Sequence, residues 1–199
     1  MALFTAASSG IQDASRSAMI RISVLAWALA ALTPAYATTL TRASFGDLVQ
    51  RSTGIVRGRV VSAYSASHGS LIYTYYMIQV LDRWKGPAAA QVEVQVPGGT
   101  FNGQQQNFAG APHMTEGSEY VFFLWTGPSR ATHLLGLSQG VLDVITGTDG
   151  ERILAGQVTD ALVVDAATGQ ATPQQPLRMR LSEFNSRVSG MLKGGPSDK

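Results

Sequence analysis

Gly136-Leu137-Ser138-Gln139-Gly140 matches G-x-S-x-G, the pattern of a hydrolase nucleophile elbow. That elbow needs a strand before the serine, a helix after it, and an acid and a histidine further along the chain. Here 141–145 reads as strand, and His68, His113 and His133 all precede Ser138. A β-turn that uses two glycines for their backbone freedom is the better account, so no catalytic residue is assigned. The three histidines show none of the H-x-H or H-x-x-x-H spacings that place two imidazoles on one ion. They read as loop histidines, and a metal site stays open only if folding brings His113 to His133. Asp149-Gly150 lacks the preceding acidic ligands of a calcium loop and reads as a hairpin turn. Glu116 and Glu119 flank a turn and a strand start, where solvated charge is ordinary; a glycosidase pair would need a cleft as well. With no cysteine, the chain has no disulfide, thiolate zinc site, thiol nucleophile or lipid-modified cysteine. No metal ligand and no cofactor-binding residue is assigned.

The loop 97–103 is a candidate partner-binding loop. Gly98 and Gly99 permit close backbone approach, and Phe101 offers an apolar anchor beside Asn102. A wide turn between strands is the plainer account of the same residues.

The elements that must carry these residues are mostly strands. Ser44 with Asp47 three positions on forms a capping box for a short helix over 44–51, in which Phe45, Leu48 and Val49 share a face. The run 55–64 is a strand with Val56, Gly58 and Val60 on one side and Arg57, Arg59 and Val61 on the other. A turn follows at 65–70, then a long β-branched and aromatic strand over 71–84 that Lys85-Gly86-Pro87 ends. In 91–96 the alternation is clean, with Val92, Val94 and Val96 buried and Gln91, Glu93 and Gln95 wet. Further strands are expected at 104–110 (an edge), 119–125, 133–137, 140–145, 152–154 and 161–165. In the last helix Leu181, Phe184, Val188 and Met191 or Leu192 recur at helical spacing and cap the barrel. Consecutive short strands with glycine and proline turns, and no strand-helix-strand alternation, predict a mainly β fold: a small antiparallel barrel, closed or partly open.

Gly54-Ile-Val-Arg-Gly-Arg-Val-Val61, Ile72-Tyr-Thr-Tyr, Trp84-Lys-Gly86, Val96-Pro-Gly-Gly99, Gly110-Ala-Pro112, Glu116-Gly-Ser-Glu-Tyr-Val-Phe-Phe-Leu124 and Gly136-Leu-Ser-Gln-Gly140 occur in that order. In this the chain resembles an uncharacterised family of exported bacterial proteins with an OB-type barrel, similar in architecture to netrin-like modules and tissue inhibitors of metalloproteinases. The resemblance covers roughly 52–144, implies a barrel, and brings no catalytic residue. Because the N-terminal cysteine of those inhibitors is absent, it implies that a metalloproteinase inhibitor built on this chain would offer the free α-amine of Thr38 to the zinc.

At the N-terminus, Arg21 precedes the apolar run 22–32, Thr33-Pro34 break it, and Ala35-Tyr36-Ala37 form a small-x-small site. These are the parts of a secretory signal peptide, cleaved between Ala37 and Thr38, and the run is too short for a membrane span. Met1 and Met19 both remain open as the start. The chain divides into a signal peptide (1–37), a barrel domain (38–154), a strand and loose linker (155–176) and a C-terminal helix with tail (177–199). Of 199 residues 45% are hydrophobic and 14% charged, enough apolar character for a core. Without a Lys/Arg run, nucleic acid is set aside as a partner. The expected function is an exported, non-enzymatic binding or inhibitory module of periplasm or medium. Its partner would be another exported protein such as a peptidase. A hydrolase or metal-dependent enzyme of the envelope and a structural envelope component are the rivals.

Overall fold

The computed structural model describes residues 39–194, and the expected signal segment, the expected Ala37–Thr38 cleavage junction and the terminal 195–199 lie outside the described residues. The expected mainly β, barrel-like fold is observed. Its backbone is a hairpin of two fifteen-residue strands, β2 (Gly54–His68) and β3 (Leu71–Lys85). Pairing runs on to His68↔Leu71, so the turn is only Gly69-Ser70 and not the six residues expected. Register shifts at Ile55/Val56, Arg57/Gly58 and Val60/Ser62 bend this hairpin, as bulges do, and let it curve around a core.

β4 (Gln91–Pro97) joins β3 antiparallel, and β7 (Glu119–Thr126) joins the other edge of β2. β8 (Thr132–Leu134) pairs antiparallel with β7 and parallel with β4 at Gln95↔His133. Five strands in the order β2-β3-β4-β8-β7 thus form a ring, partly open because its β4–β8 seam is a single register pair. The free edge of β7 is shared: Leu124 to Thr126 face β8, whereas Tyr120 to Phe122 face β9 (Val141–Thr146). Between them the chain makes one 3₁₀ turn, Leu137–Gly140, which carries it off the ring. β10 (Arg152–Gly156) and β12 (Arg178–Arg180) extend the sheet beyond β9.

The apolar run of β7 explains two cores. Tyr120, Phe122 and Leu124 point into the ring with Val56, Val60, Ile78, Val94 and Val96. Val121 and Phe123 point outward to Leu142 and Leu154 and to helices α1 (Phe45–Arg51) and α2 (Leu181–Lys193). α2 therefore covers the outer face of the sheet rather than capping the ring. Phe184 of α2 sits edge-on to Phe45, Trp84 and Phe123 at 5.7, 5.0 and 6.0 Å. Burying that one ring contributes about 2–3 kcal/mol. α1 carries the expected capping box, with the Asp47 amide donating to Ser44 Oγ (3.0 Å) and the Ser44 amide to Asp47 Oδ2 (3.1 Å).

In β4 the valines at 94 and 96 are buried and Gln91 and Glu93 exposed, as the alternation requires. Val92, at the strand end, is only half-buried; Gln95 is half-buried too, because it meets His133 across the seam. In place of a loop and an edge strand, 97–106 forms a small hairpin, β5 (Gly99–Phe101) with β6 (Gln104–Gln106). The segment 157–177 folds back on the body. In it β11 (Leu162–Val164) runs parallel to β1 (Thr39–Thr41), and Val164 bridges Ala171.

Candidate functional site

A cavity of about 610 Å³ lies where the start of α1, the 3₁₀ turn, β9 and the 157–177 segment converge. That volume falls in the ordinary range of small-molecule sites. Two amide clasps hold its walls. Gln139 accepts the Ala43 amide on Oε1 (2.8 Å) and donates from Nε2 to the Thr41 carbonyl (3.0 Å), fixing the β1–α1 link to the turn. Gln157 accepts the His113 amide and donates to the His113 carbonyl (2.7 Å) and to Asp143 Oδ1 (3.0 Å). Its apolar lining includes Phe45, Leu48, Leu142, Val163 and Leu177.

Ser138 lines this cavity. Its amide donates to the Gly110 carbonyl (3.0 Å), the residue is 2% exposed, and its buried Oγ has no hydrogen-bond partner among the described residues. Asp47 and Asp165 line the same space, but both carboxylates serve backbone. The Asp47 carboxylate accepts the Ser44 amide and hydroxyl in the α1 capping box, and Asp165 Oδ1 accepts from the Ala167 and Thr168 amides and the Thr168 hydroxyl. The Thr168 and Ala167 amides and the Thr168 hydroxyl, with Arg42 adding attraction, hold the Asp165 carboxyl below its usual range. Ser138 thus sits in a 3₁₀ turn followed by a strand, beside carboxylates and amides, with no base on its hydroxyl. A turn was expected there, and its burial against a cavity was not.

The other expected residues lie elsewhere. Gly99 adopts φ 129°, and a Cβ there would collide with Thr74 and Ser65, so the glycine lets β5 pack onto the β2–β3 hairpin. Gly98 donates its amide to the Ile72 carbonyl (2.8 Å) and is buried. Phe101 is half-buried, and Asn102-Gly103, at φ 49° and 76°, form the two-residue turn that follows it. The pair Asn-Gly is the sequence signal by which this hairpin could have been found. Glu116 accepts the Ala63 amide (2.8 Å), and Asp149 Oδ1 accepts the Glu151 amide (3.0 Å) in a hairpin turn. His68 and His113 are exposed, His133 is at the ring seam, and the described residues hold no group of three or more side chains suited to a metal ion.

On the outside of the ring, register aligns one residue from each strand: Tyr64↔Tyr75, Tyr75↔Gln95, Gln95↔His133 and His133↔Trp125. The two tyrosine rings stack at 5.0 Å, and Tyr64 donates to Glu93 Oε2 (3.0 Å). Gln95 Nε2 and His133 Nε2 lie 3.0 Å apart, and the His133 and Trp125 rings 6.2 Å. Tyr64 is 53% and Trp125 42% exposed. Burial lowers the His133 pKa below the usual imidazole value, partly offset by a hydrogen bond to the Gln95 backbone. The row was not legible in advance, because it joins residues from five strands whose register only the fold supplies. Searches of family models, curated proteins and solved structures find no match to this chain.

Proposed function

We propose that this chain is an exported, non-enzymatic binding module whose outer ring surface engages another exported protein, a peptidase being the class the sequence resemblance brings forward. The observation that carries the reading is the row Tyr64-Tyr75-Gln95-His133-Trp125. It sets two well-exposed aromatic side chains and two planar polar ones on a rigid sheet. Tyrosine and tryptophan are the side chains that most often dominate protein interfaces, because they bury much area for little lost rotamer freedom. The row contains no lysine or arginine, so it offers a phosphate backbone nothing.

The test places a photo-crosslinking residue at position 125, at position 64 and, as control, at exposed Val158 in secreting cells. A common exported protein trapped from 125 or 64 and not from 158 is expected, and Trp125→Ala should weaken binding of that purified protein at least tenfold. Adducts shared equally by 158, or unchanged affinity in the alanine variant, overturn the reading.

A further inference from the structure

We propose that the tip of the β7–β8 hairpin is the ionic half of the partner surface, where Arg130 docks against an acidic patch of the protein that Trp125 meets; the contact rests on the outer-surface reading and adds to it the charge that the partner presents.

The backbone singles out Arg130. Loop 127–131 joins β7 to β8, and Arg130, at its close, has φ 64°. Glycine, asparagine and aspartate enter that left-handed region readily, whereas arginine does so under strain. The conformation is held from several sides. The Gly127 amide donates to the Ala131 carbonyl (3.3 Å), the Arg130 amide donates to the Gly127 carbonyl (2.9 Å), and the Thr126 and Thr132 hydroxyls share a hydrogen bond (2.9 Å). Strain enforced in this way gathers at functional positions. The turn draws nothing from the side chain in return: Arg130 is exposed, and its guanidinium makes no hydrogen bond or ion pair among the described residues, unlike those of Arg57, Arg59 and Arg180.

Charge around the hairpin has one sign. The Thr126 amide donates to Thr53 Oγ1 and the Thr53 amide to the Leu124 carbonyl, each at 2.8 Å, and a Cβ on Gly86 would meet the Thr53 carbonyl. Stretches 51–54, 83–87 and 124–132 therefore meet, and they carry Arg51, Arg83, Lys85 and Arg130 with no carboxylate. Asp82, next in the chain, is paired with Arg57, and Asp47 is the carboxylate that Arg51 attracts. Arg83 donates to the Gly86 carbonyl and Lys85 to the Val49 and Gln50 carbonyls, which fixes these head groups in place and leaves the positive field uncancelled. A phosphate polymer needs several unengaged cations in a line. Here one unengaged guanidinium stands beside an exposed indole that packs on Gly127 of the same loop, and arginine with tryptophan is the pairing that dominates protein interfaces.

The experiment compares Arg130→Lys, Arg130→Asn and Arg130→Asp. The last two residues tolerate the left-handed region, so both variants should fold with a thermal midpoint no lower than that of the parent. With the photo-crosslinking residue at position 125, in the cells that produce the protein, the adduct should persist in Arg130→Lys, fall about fivefold or more in Arg130→Asn and vanish in Arg130→Asp. The affinity of the purified trapped protein should follow the same order, with the differences shrinking in high salt. An adduct undiminished in Arg130→Asn and Arg130→Asp overturns the ionic contact alone. Its absence from the parent removes the outer-surface reading and the contact with it. Equal loss in Arg130→Lys overturns charge as the basis. A lowered midpoint in Arg130→Asn makes the arginine a support of its own hairpin and overturns the proposal. Retention on heparin that Arg130→Asp abolishes, alongside an undiminished adduct, gives the tip to an anionic polymer instead.

Discussion

Arg57 is the residue at which the ring concentrates charge. Its guanidinium lies 2.7 Å from Asp82 on β3 and 2.7 Å from Glu119 on β7, while Arg59 reaches the same Glu119 at 2.6 Å. Arg57 and Glu119 are largely buried, and Asp82 is half-exposed. Burial pushes the Glu119 carboxyl up, but the Arg59 hydrogen bond and the Arg57, Arg152 and Arg59 charges more than offset it, and its pKa lies below the usual range. Arg57→Ala removes one of the two guanidinium groups on Glu119 and the link to Asp82 but leaves Arg59 in place, and should cost about 2 kcal/mol in urea unfolding, the scale of hydrogen bonds to charged groups. Asp82→Asn, at a solvated carboxylate, should cost less than about 1 kcal/mol. Equal losses would show that the two carboxylates share the load. Ser138→Ala makes a contrasting case: it removes a hydroxyl that has no partner, so thermal unfolding should move little or upward. A marked loss would mean that the hydroxyl is hydrogen-bonded in solution.

At the scale of elements, the ring seam is the place to probe. One register pair, Gln95↔His133, joins β4 to β8, and the imidazole there is held below its ordinary pKa by burial. The unfolded chain then binds more protons than the folded one below about pH 6.5, so stability is full above that value and falls as acid is added. His133→Gln should flatten the wild-type slope between about pH 6.5 and 5, measured as urea midpoints against pH. An identical slope in the variant would remove His133 as its source. Along β4 the alternation makes a sharper claim: Val94→Asp should cost about 3 kcal/mol or more, and Gln91→Asp roughly 0.5 or less. Strand existence, the α1 capping box and this register were legible because each rests on neighbours in sequence. Where strands end was less so, since the pairing of Ala66-Ser67-His68 is decided by the partner strand and not by propensity. The seat of α2 on the outer sheet face was hidden for the same reason: Leu181, Phe184 and Val188 show that a face is apolar but not which apolar surface it meets. The cavity was not legible at all, because Ser138, Asp165 and Phe45 come together only when β11 has docked on β1.

That docking links the whole molecule to its N-terminus. β1 starts at Thr39, one residue beyond the expected cleavage point between Ala37 and Thr38, and its partner is β11, 120 or so residues away by chain contour. The Arg42 amide donates a hydrogen bond to the Val164 carbonyl (2.8 Å), and Leu40 and Ala161 both pack over Gly110. The β1 ladder and the Gln139 clasp on Thr41 therefore hold the 157–177 segment, and with it one wall of the cavity, to the body. Processing at Thr38 keeps every one of these bonds, whereas a start at Arg42 loses the strand. If the proposed export holds, terminal sequencing of the protein purified from the cells that produce it should read Thr38 first; an intact Met1 or Met19 would sink the export reading. A form beginning at Arg42 should exchange amide hydrogens faster across 157–176 while Ile78, Val94 and Phe122 in the ring stay protected, because the ring core does not depend on β1. Faster exchange throughout the ring would instead make β1 part of the global fold, and unchanged exchange in 157–176 would show that the segment is held without β1, by the Gln157 clasp and by Gln174, whose side chain accepts the Thr159 amide (2.8 Å) and donates to the Thr159 carbonyl (2.6 Å).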